Sequence, residues 1–443
     1  MSSSLAPRRA GRGAAARVGH QRSILPNGLR ILTQPLPTAR SVSAGLFVGV
    51  GSRHEDLAHA GLSHMLEHLV FKGTRRHPEP GALSEAVEGC GGSLNASTDR
   101  ELTVYSVKTP AEAFGGALDV LAELVLRPLL RQRDLAGEKP VIVDEIRMYV
   151  DSPGDHVFTL FDEMLFGDHP LGREIAGSPR SVRRATRTRV LEHWSRWYRP
   201  EHLVLAVAGA TSHDAVVRAA NAWSEGEPPA VQPAGEPLPF MRPDVAPPGS
   251  LRLAHRRLSQ GNLCLGMPGV SRDHPDRWAL DLLGAVLGDG MSSRLFLELR
   301  ERRSLAYDVS TFAATYADCG VVGVHAGFDP DDVDRVLASI LEQLERAVQE
   351  PVSRQELERA RAYTRGRLQL RMEDTAAVAA WLGTGESLLP RILSVEEVLE
   401  RLDAVTVEDL QHVAQRYMRP DQARLAVLGP FRSRGRLERQ LRA

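Results

Sequence analysis

Cysteine and long hydrophobic runs are both scarce in this chain of 443 residues. Its three cysteines, Cys90, Cys264 and Cys319, are odd in number and far apart. They predict neither a disulfide scaffold nor a cysteine metal site, and a reducing compartment is expected. No apolar run approaches the roughly 18–20 residues that a bilayer-spanning helix needs. The formal net charge of −1 disfavours binding to nucleic acid or to anionic membranes, so we expect neither as a partner.

Acidic residues are absent from the first 54 positions, where arginines lie among alanine, serine and glycine. Such composition is typical of organellar transit peptides, but it also suits a disordered arm on a bacterial cytoplasmic protein. Because arginine and alanine stay frequent along the chain, we favour a flexible basic arm over residues 1–22 and a cytoplasmic location, with the mitochondrial matrix as the alternative. No h-region that leads to an A-x-A cleavage site is present, so secretion is not expected.

The chain repeats itself at an offset of 220 residues. Residues 197–209 read WYRPEHLVLAVAG and residues 417–429 read YMRPDQARLAVLG. The same offset aligns three further pairs, which are Pro110 with Pro330, Leu121 with Leu341 and Leu124 with Leu344. One offset that recurs at separated places favours two similar halves over chance similarity at one motif.

Each half mixes predicted strands with predicted helices. Alternating or continuous apolar runs predict strands at 41–52, 102–109, 261–269 and 320–328, and the 3.6-residue period predicts helices at 61–71 and 332–348. The fold class is therefore α+β, with two homologous α/β halves, each a mainly antiparallel sheet with helices covering one face. A proline-rich stretch at 226–250 predicts a linker between domains at 23–225 and 251–443.

One short motif contains candidate metal-binding and catalytic residues. Residues 61–71 read GLSHMLEHLVF. On a helix, His64 and His68 project from one face with Glu67 beside them. Two imidazoles aimed at one point make a partial zinc site, and the carboxylate can accept a proton from a water molecule there. The order H-x-x-E-H is that of the inverzincins. Because the motif has only five residues, it fits equally well with histidines that are hydrogen-bonded and bind no metal.

A zinc site needs a third ligand, and an apolar helical segment at 141–150, VIVDEIRMYV, contains two acids. A carboxylate in such a segment is costly unless it is paired or bound to a metal. One of Asp144 and Glu145 is therefore expected to point into the site.

The chain resembles the insulinase/pitrilysin peptidases (M16), especially the two-domain branch with mitochondrial processing peptidase β-subunits and bacterial relatives. The resemblance spans nearly the whole chain after the arm. It is carried by GSRHED, HMLEHLVFKGT, GGSLNASTDRELTVY, VIVDEIRMYVDSPGD, FGDHPLGREIAG and LGDGMSSRLFLELRERRSLAYDVS.

The resemblance implies a zinc metalloendopeptidase that cleaves extended or unfolded peptides and holds one Zn²⁺ per chain. The implied ligands are His64, His68 and Glu145, and Glu67 is the general base. The resemblance also implies that the carboxylates of Glu138 and Asp144 support the metal ligands. Because Pro140 should kink or restart the helix, a solvated helix-end carboxylate is the alternative for Glu138.

The resemblance also assigns substrate contacts. In GGSLNAST, Asn95, Ala96 and Ser97 lie along the substrate, with capping of a turn as the alternative for Asn95. Arg300 and Tyr307 match a pair that faces the substrate carbonyl, where hydrogen-bond donors stabilise an oxyanion. A surface arginine and a core tyrosine are the alternative for this pair.

The two halves are expected to differ in function. The 220-residue offset places His64, Glu67 and His68 on Gly284, Leu287 and Gly288, so the second half has lost the metal site and is expected to hold substrate. Larger relatives close four such domains as a clamshell, so this chain is half of one. We expect a homodimer in which Arg300 and Tyr307 complete the other subunit's site, or else a heterodimer with a related M16 subunit. A non-catalytic scaffold subunit and a maturation protease for one peptide are the rival functions.

Overall fold

The computed structural model describes residues 19–223, 240 and 242–442. The strands are β1 Gln21–Ile24, β2 Arg30–Pro35, β3 Ser41–Val48, β4 Ser93–Thr98, β5 Thr103–Pro110, β6 Leu203–Gly209, β7 Leu251–His255, β8 Gly261–Gly269, β9 Ala306–Thr315, β10 Gly320–Phe328 and β11 Arg424–Gly429.

The α-helices are α1 Leu62–Val70, α2 Ala82–Glu88, α3 Phe114–Leu126, α4 Gln132–Asp151, α5 Pro153–Phe166, α6 Pro179–Arg184, α7 Arg187–Trp197, α8 His213–Trp223, α9 Arg277–Gly288, α10 Val333–Gln349, α11 Arg354–Arg371, α12 Thr375–Leu388, α13 Val395–Ala404, α14 Val407–Tyr417 and α15 Gly435–Arg442. A π-helix covers Phe296–Arg302. None of the helices in the described ranges combines the length and the apolar character that a bilayer crossing requires.

Two sheets with the same strand pattern form the framework. The first has the order β1-β2-β6-β3-β5-β4 and the second the order β7-β11-β8-β10-β9. Neighbours pair antiparallel except β2 with β6 and β7 with β11, which occupy matching places in the two sheets. The predicted α+β class and the repeat are therefore confirmed. Strands 261–269 and 320–328 have the predicted bounds, whereas the strand predicted at 41–52 ends at Val48.

The predicted N-terminal arm and the predicted linker lie partly outside the residues that the structure describes. Residues 1–18 of the arm and residues 224–239 and 241 around the linker are among those not described. Pairing of β1 with β2 begins at Gln21, so the ordered domain starts before the predicted boundary at residue 23.

Each sheet is covered on its second face by a helix from the other half. Helix α5 packs on β8 and β11, where the Phe161 ring lies so close to Gly266 that a Cβ there would be 2.6 Å from it. Helix α12 packs on β2, β3 and β6, with Leu382 in one cluster with Phe47 and Ala206. Each half therefore covers one face of its own sheet with its own helices, as predicted, and the second face is covered by the other half, because strands such as β6 are buried along their whole length and need cover on both faces.

Buried ion pairs also join the halves. The Arg53 guanidinium lies 2.6 Å from Glu101 in the first half and 2.6 Å from Asp318 in the second. Glu101 in turn accepts from Arg272 at 2.6 Å and from the backbone N–H of Ala317 at 3.0 Å. The side chains of Arg53 and Glu101 are 1% and 3% exposed, so this ionic network belongs to the interior.

Candidate metal centre

Helix α1 presents its polar face because its other face is core. Leu62, Met65, Leu66 and Leu69 are buried, and the helical period then turns His64, Glu67 and His68 to the opposite side. The helix begins at Gly61, whose φ of 93° is in the left-handed region and where a Cβ would meet the Ala176 carbonyl at 2.5 Å. Only glycine fits such a position without strain.

A buried carboxylate holds the start of this helix. Glu55 accepts hydrogen bonds from the backbone N–H groups of Gly61 at 2.7 Å and Ser63 at 2.6 Å. These donors, at a helix N-terminus, favour a negative charge, while burial raises the pKa of Glu55 to about 7. The sequence analysis gave Glu55 no role, because its bonds depend on how the chain turns between residues 55 and 61.

The three predicted ligands come together where α1 crosses α4. Nε2 of His64 lies 3.6 Å from Oε1 of Glu145, and Nε2 of His68 lies 3.3 Å from Oε2. One ligand atom of each residue lies within 4.8 Å of the others, and among the described residues no other such group occurs. Tetrahedral zinc with bonds of 2.0–2.2 Å separates its ligand atoms by roughly 3.3–3.6 Å, so the spacing fits.

The protonation of His64 also suits a metal. Burial, followed by the nearby His68, lowers the pKa of His64. A neutral imidazole is the form that binds zinc. The donor set of two imidazoles and one carboxylate therefore fits Zn²⁺, which is this protein's cofactor.

Glu138 lies behind His68, and its carboxylate is buried. Nδ1 of His68 donates to Oε2 of Glu138 at 3.0 Å, and Nζ of Lys72 lies 2.6 Å from Oε1. Glu138 is 7% exposed, so the alternative of a solvated helix-end carboxylate is wrong. Such a partner fixes the tautomer and ring orientation of a ligating histidine.

Helix α4 does not restart at Pro140, as the sequence had suggested. It runs unbroken from Gln132 to Asp151 with Pro140 inside. The fixed φ of proline is compatible with a helix, and its cost there is one lost backbone hydrogen bond and crowding against the carbonyl of residue i−4. The unbroken helix keeps Glu138 and Glu145, seven residues apart, on one side, two turns from each other.

Asp144 does not support the site, so that assignment is wrong. Its side chain is 67% exposed and pairs with Arg147 at 2.7 Å. Consecutive helical residues point about 100° apart, so when Glu145 faces α1, Asp144 faces solvent.

Glu67 is held by a residue that the sequence analysis did not assign. Oγ1 of Thr98 donates to Oε2 of Glu67 at 2.5 Å. Burial raises the pKa of Glu67, against the lowering effect of the Thr98 bond and of His68. Thr98 ends the GGSLNAST segment, and its contact follows from the packing of β4 beside α1.

The GGSLNAST segment forms a free strand edge next to Glu67. Strand β4 is the last strand of its sheet and, among the described residues, pairs with β5 alone. Asn95 lies in mid-strand opposite Ser106, so the turn-cap alternative is wrong. Asn95 and Ser97 are exposed and Ala96 is half-buried.

Arg300 and Tyr307 lie in the second half of the chain, on elements other than the α1 and α4 that carry the metal ligands. Arg300 is exposed in the π-helix, with its guanidinium 5.0 Å from the Phe296 ring centre. Tyr307 lies on β9, the edge strand of its sheet, and is 43% exposed, so it is not a core tyrosine. Within the described chain, no hydrogen bond joins either residue to His64, His68 or Glu145.

The second half has no metal ligands at the equivalent place. Gly284, Leu287 and Gly288 lie on α9. Leu287 is fully buried, and a Cβ at Gly288 would lie 2.4 Å from the backbone nitrogen of Thr311. Close packing with β9 therefore occupies the space that histidine ligands would need.

Comparisons with known proteins agree with this geometry. The family model described as insulinase (peptidase family M16) matches residues 30–179, and the one described as peptidase M16 inactive domain matches residues 184–363. The first contains all three zinc ligands.

Similar proteins match over nearly their whole length. An uncharacterized zinc protease of Streptomyces coelicolor is 38% identical over 94% of this chain and 90% of its own. One from Mycobacterium tuberculosis is 37% identical over 99% of both chains. The crystal structure of a protease from Helicobacter pylori has a TM-score of 0.84 at 24% identity and covers 93% of this chain and 99% of its own, which shows the shared fold.

Proposed function

The chain belongs to the insulinase family of peptidases, family M16, and on that premise we propose that it is a zinc-dependent endopeptidase that hydrolyses extended or unfolded peptides. One observation carries the proposal. A complete ligand set of His64, His68 and Glu145 lies beside the carboxylate of Glu67, and Thr98 of the free strand edge contacts that carboxylate.

Glu67 is the proton carrier in this proposal. Zinc, when bound, supplies a Lewis acid that polarises the scissile carbonyl and makes water easier to deprotonate. Glu67 accepts the proton of the attacking water and later delivers it to the leaving amine. The raised pKa of Glu67, due mainly to burial, makes its carboxylate a better base, and the bond from Thr98 orients it.

Strand β4 is the proposed binding surface for the peptide backbone. Its outer edge has no partner strand in the described chain, so an extended peptide can pair with it through main-chain hydrogen bonds. The exposed Asn95 and Ser97 and the backbone of Ala96 then contact the substrate. Because main-chain pairing requires an extended segment, unfolded peptides are favoured over folded proteins.

We further propose that the active form is a homodimer. Arg300 and Tyr307 are exposed, and within the described chain neither makes a hydrogen bond to the metal ligands of its own chain. In a symmetric dimer of two half-clamshells, the pair from each copy would face the zinc site of the other and donate to the oxyanion. A non-catalytic scaffold is disfavoured, because it would need neither an intact ligand set nor the buried Glu138 that orients His68.

The test of function compares purified wild type with Glu67→Gln on a library of quenched fluorescent peptides, with zinc quantified in each sample. We expect about one zinc per chain in both, with cleavage lost in Glu67→Gln by a factor of at least about 100. Asp144→Asn, which changes an exposed acid of α4, is the matched control and should cleave normally. Zinc-loaded wild type that cleaves no peptide would overturn the proposal.

A further inference from the structure

The neighbours of Glu145 on its own helix are apolar and exposed. Val141 is four residues before it, Met148 three after and Tyr149 four after, which are the positions that flank a residue on a helix surface. Their exposed fractions are 49%, 71% and 46%. The side chain of the zinc ligand itself is 29% exposed.

The remaining solvent face of α4 is charged in the usual way. Asp144 and Arg147 pair with each other there, and Asp151 lies 3.0 Å from Arg256. Successive residues turn by about 100°, so these three charged residues of α4 lie about 100–160° away from Glu145, whereas the three apolar residues lie within about 60° of it. Three of the four exposed large apolar side chains of α4 therefore surround Glu145, the fourth being Val150 at 39%, and clustered apolar exposure marks a contact surface.

Tyr149 follows Glu145 by one helical turn on α4, so the two side chains are neighbours on the helix surface. In keeping with this position, the pKa of the Tyr149 phenol is raised by burial first and then by the carboxylates of Glu145, Glu174, Asp155 and Glu67.

We infer that Val141, Met148 and Tyr149 form a subsite for an apolar side chain of the substrate next to the scissile bond. The inference rests on the proposed peptidase function and adds a preference to it. A scissile peptide must lie against the metal ligands, and an extended chain advances about 3.3 Å per residue. The side chains on either side of that bond therefore reach Val141, Met148 and Tyr149, which lie one helical turn from Glu145. These three residues are called the apolar strip.

The position of the apolar strip favours a substrate side chain over other occupants. Helix α1 contacts both β4 and α4, so a peptide paired with β4 over Glu67 has α4 along its other side. Main-chain pairing with β4 is insensitive to side chains, whereas an apolar strip favours apolar over charged groups by about 25 cal/mol per Å² buried. The alternative occupant, a second copy of this chain, is distinguished by the test.

The experiment uses the zinc-loaded protein and peptides that differ only at the residue before or after the scissile bond, as Leu, Ala or Glu. Wild type should prefer Leu to Glu in kcat/KM by about 10-fold or more at one of the two positions. The double variant Val141→Thr/Met148→Gln has nearly the same shape with a polar surface. It should lose about 10-fold on the Leu peptide and little on the Ala peptide.

Met148→Leu should retain the preference, and Arg147→Gln on the charged flank is the matched control. An unchanged Leu-to-Glu ratio in the double variant, or an equal loss on all peptides, overturns the subsite while the peptidase function stands. A shift of the double variant from dimer to monomer in sedimentation assigns the strip to a second copy and also overturns it. If zinc-loaded wild type cleaves none of the peptides, the proposed function itself fails.

Discussion

The two histidine ligands differ in how firmly they are held. His68 has its Nδ1 bonded to Glu138, whose other oxygen pairs with Lys72. Nδ1 of His64 is buried without a hydrogen-bond partner in the structure. A carboxylate behind a ligating histidine orients the ring and makes the nitrogen a stronger donor, so the hold on zinc depends more on His68.

Glu138→Gln is expected to weaken zinc binding by about 10-fold. The amide still accepts from His68 but no longer pairs with Lys72 and no longer strengthens the imidazole. Competition with a chromophoric chelator measures the change, and Asp144→Asn should leave the affinity unchanged. Equal affinities for Glu138→Gln and wild type would show that Glu138 is not a support of the site.

Two buried histidines have lowered pKa values, so we expect acid to destabilise the fold. Burial lowers the pKa of His193 to about 3 and that of His54 to about 4, from 6.5. Below pH 6.5 the unfolded chain binds protons that the folded chain does not, so the free energy of unfolding falls with pH until the folded-state pKa values are reached. The limiting slope is about 1.4 kcal/mol per pH unit for each histidine.

Urea unfolding of zinc-free protein between pH 7 and pH 5 measures this slope. His193→Asn, which can still bond Ser63, should reduce it, and the exposed His412→Asn should not. The same slope in wild type and His193→Asn would contradict the assignment.

At the scale of elements, the free edge of β4 and the apolar residues of α4 have different roles in the proposed function. The edge would offer backbone hydrogen bonds, which any extended peptide can use, and the apolar residues would offer side-chain contacts, which discriminate between peptides. Helix α1 contacts both elements, with Glu67 bonded to Thr98 of β4 and the two histidines facing Glu145 on α4.

Backbone pairing predicts sensitivity to N-methylation. A methyl group on a peptide nitrogen that donates to β4 removes one hydrogen bond, which should lower kcat/KM by about 2- to 10-fold. Because strand pairing alternates, a methyl scan of one good substrate should show losses at every second position on the paired side. A scan without alternation would mean that the peptide does not bind as an added strand.

We expect the whole molecule to unfold as one unit, because each half contributes a helix that packs on the sheet of the other half. Helices α5 and α12 each pack on the other half's sheet, and Arg53 and Glu101 link the halves by buried charges. In the proposed dimer, an opening that admits substrate is therefore expected between the two chains rather than between the halves of one chain.

Arg53→Met should cost about 3–5 kcal/mol in the free energy of unfolding, because it leaves Glu101 buried with one partner fewer. The exposed pair Arg346–Glu350 is the control, and Arg346→Met should cost less than about 1 kcal/mol. Urea unfolding should show a single transition for wild type, and a small loss for Arg53→Met would contradict a role in joining the halves.

The proposed dimer predicts complementation between two inactive variants. When Glu67→Gln and Tyr307→Phe chains are mixed and reassembled, half the dimers are mixed, and each mixed dimer has one intact site if Tyr307 acts across the interface. Activity should recover to about a quarter of wild type. No recovery above that of the separate variants would mean that the tyrosine acts within its own chain or not at all.

Local spacing in the sequence was enough to place the candidate metal residues of α1 on one helix face. His64, Glu67 and His68 share a helix face by the 3.6-residue period, and the repeat of apolar strands at one offset predicted two similar halves. These features depend on neighbours along the chain. The choice of Glu145 over Asp144 came from the resemblance, and the residue pattern alone left both open.

Only the tertiary structure decided the contacts between distant segments. It joined Glu138 to His68, Thr98 to Glu67 and Glu55 to the start of α1, and it put Asp144 in solvent. It also showed that α5 packs on the sheet of the second half and that α12 packs on the sheet of the first. The physical reason is that a side chain's periodic position shows which face it occupies, whereas its partner is set by how elements far apart in sequence pack to bury both faces of each sheet.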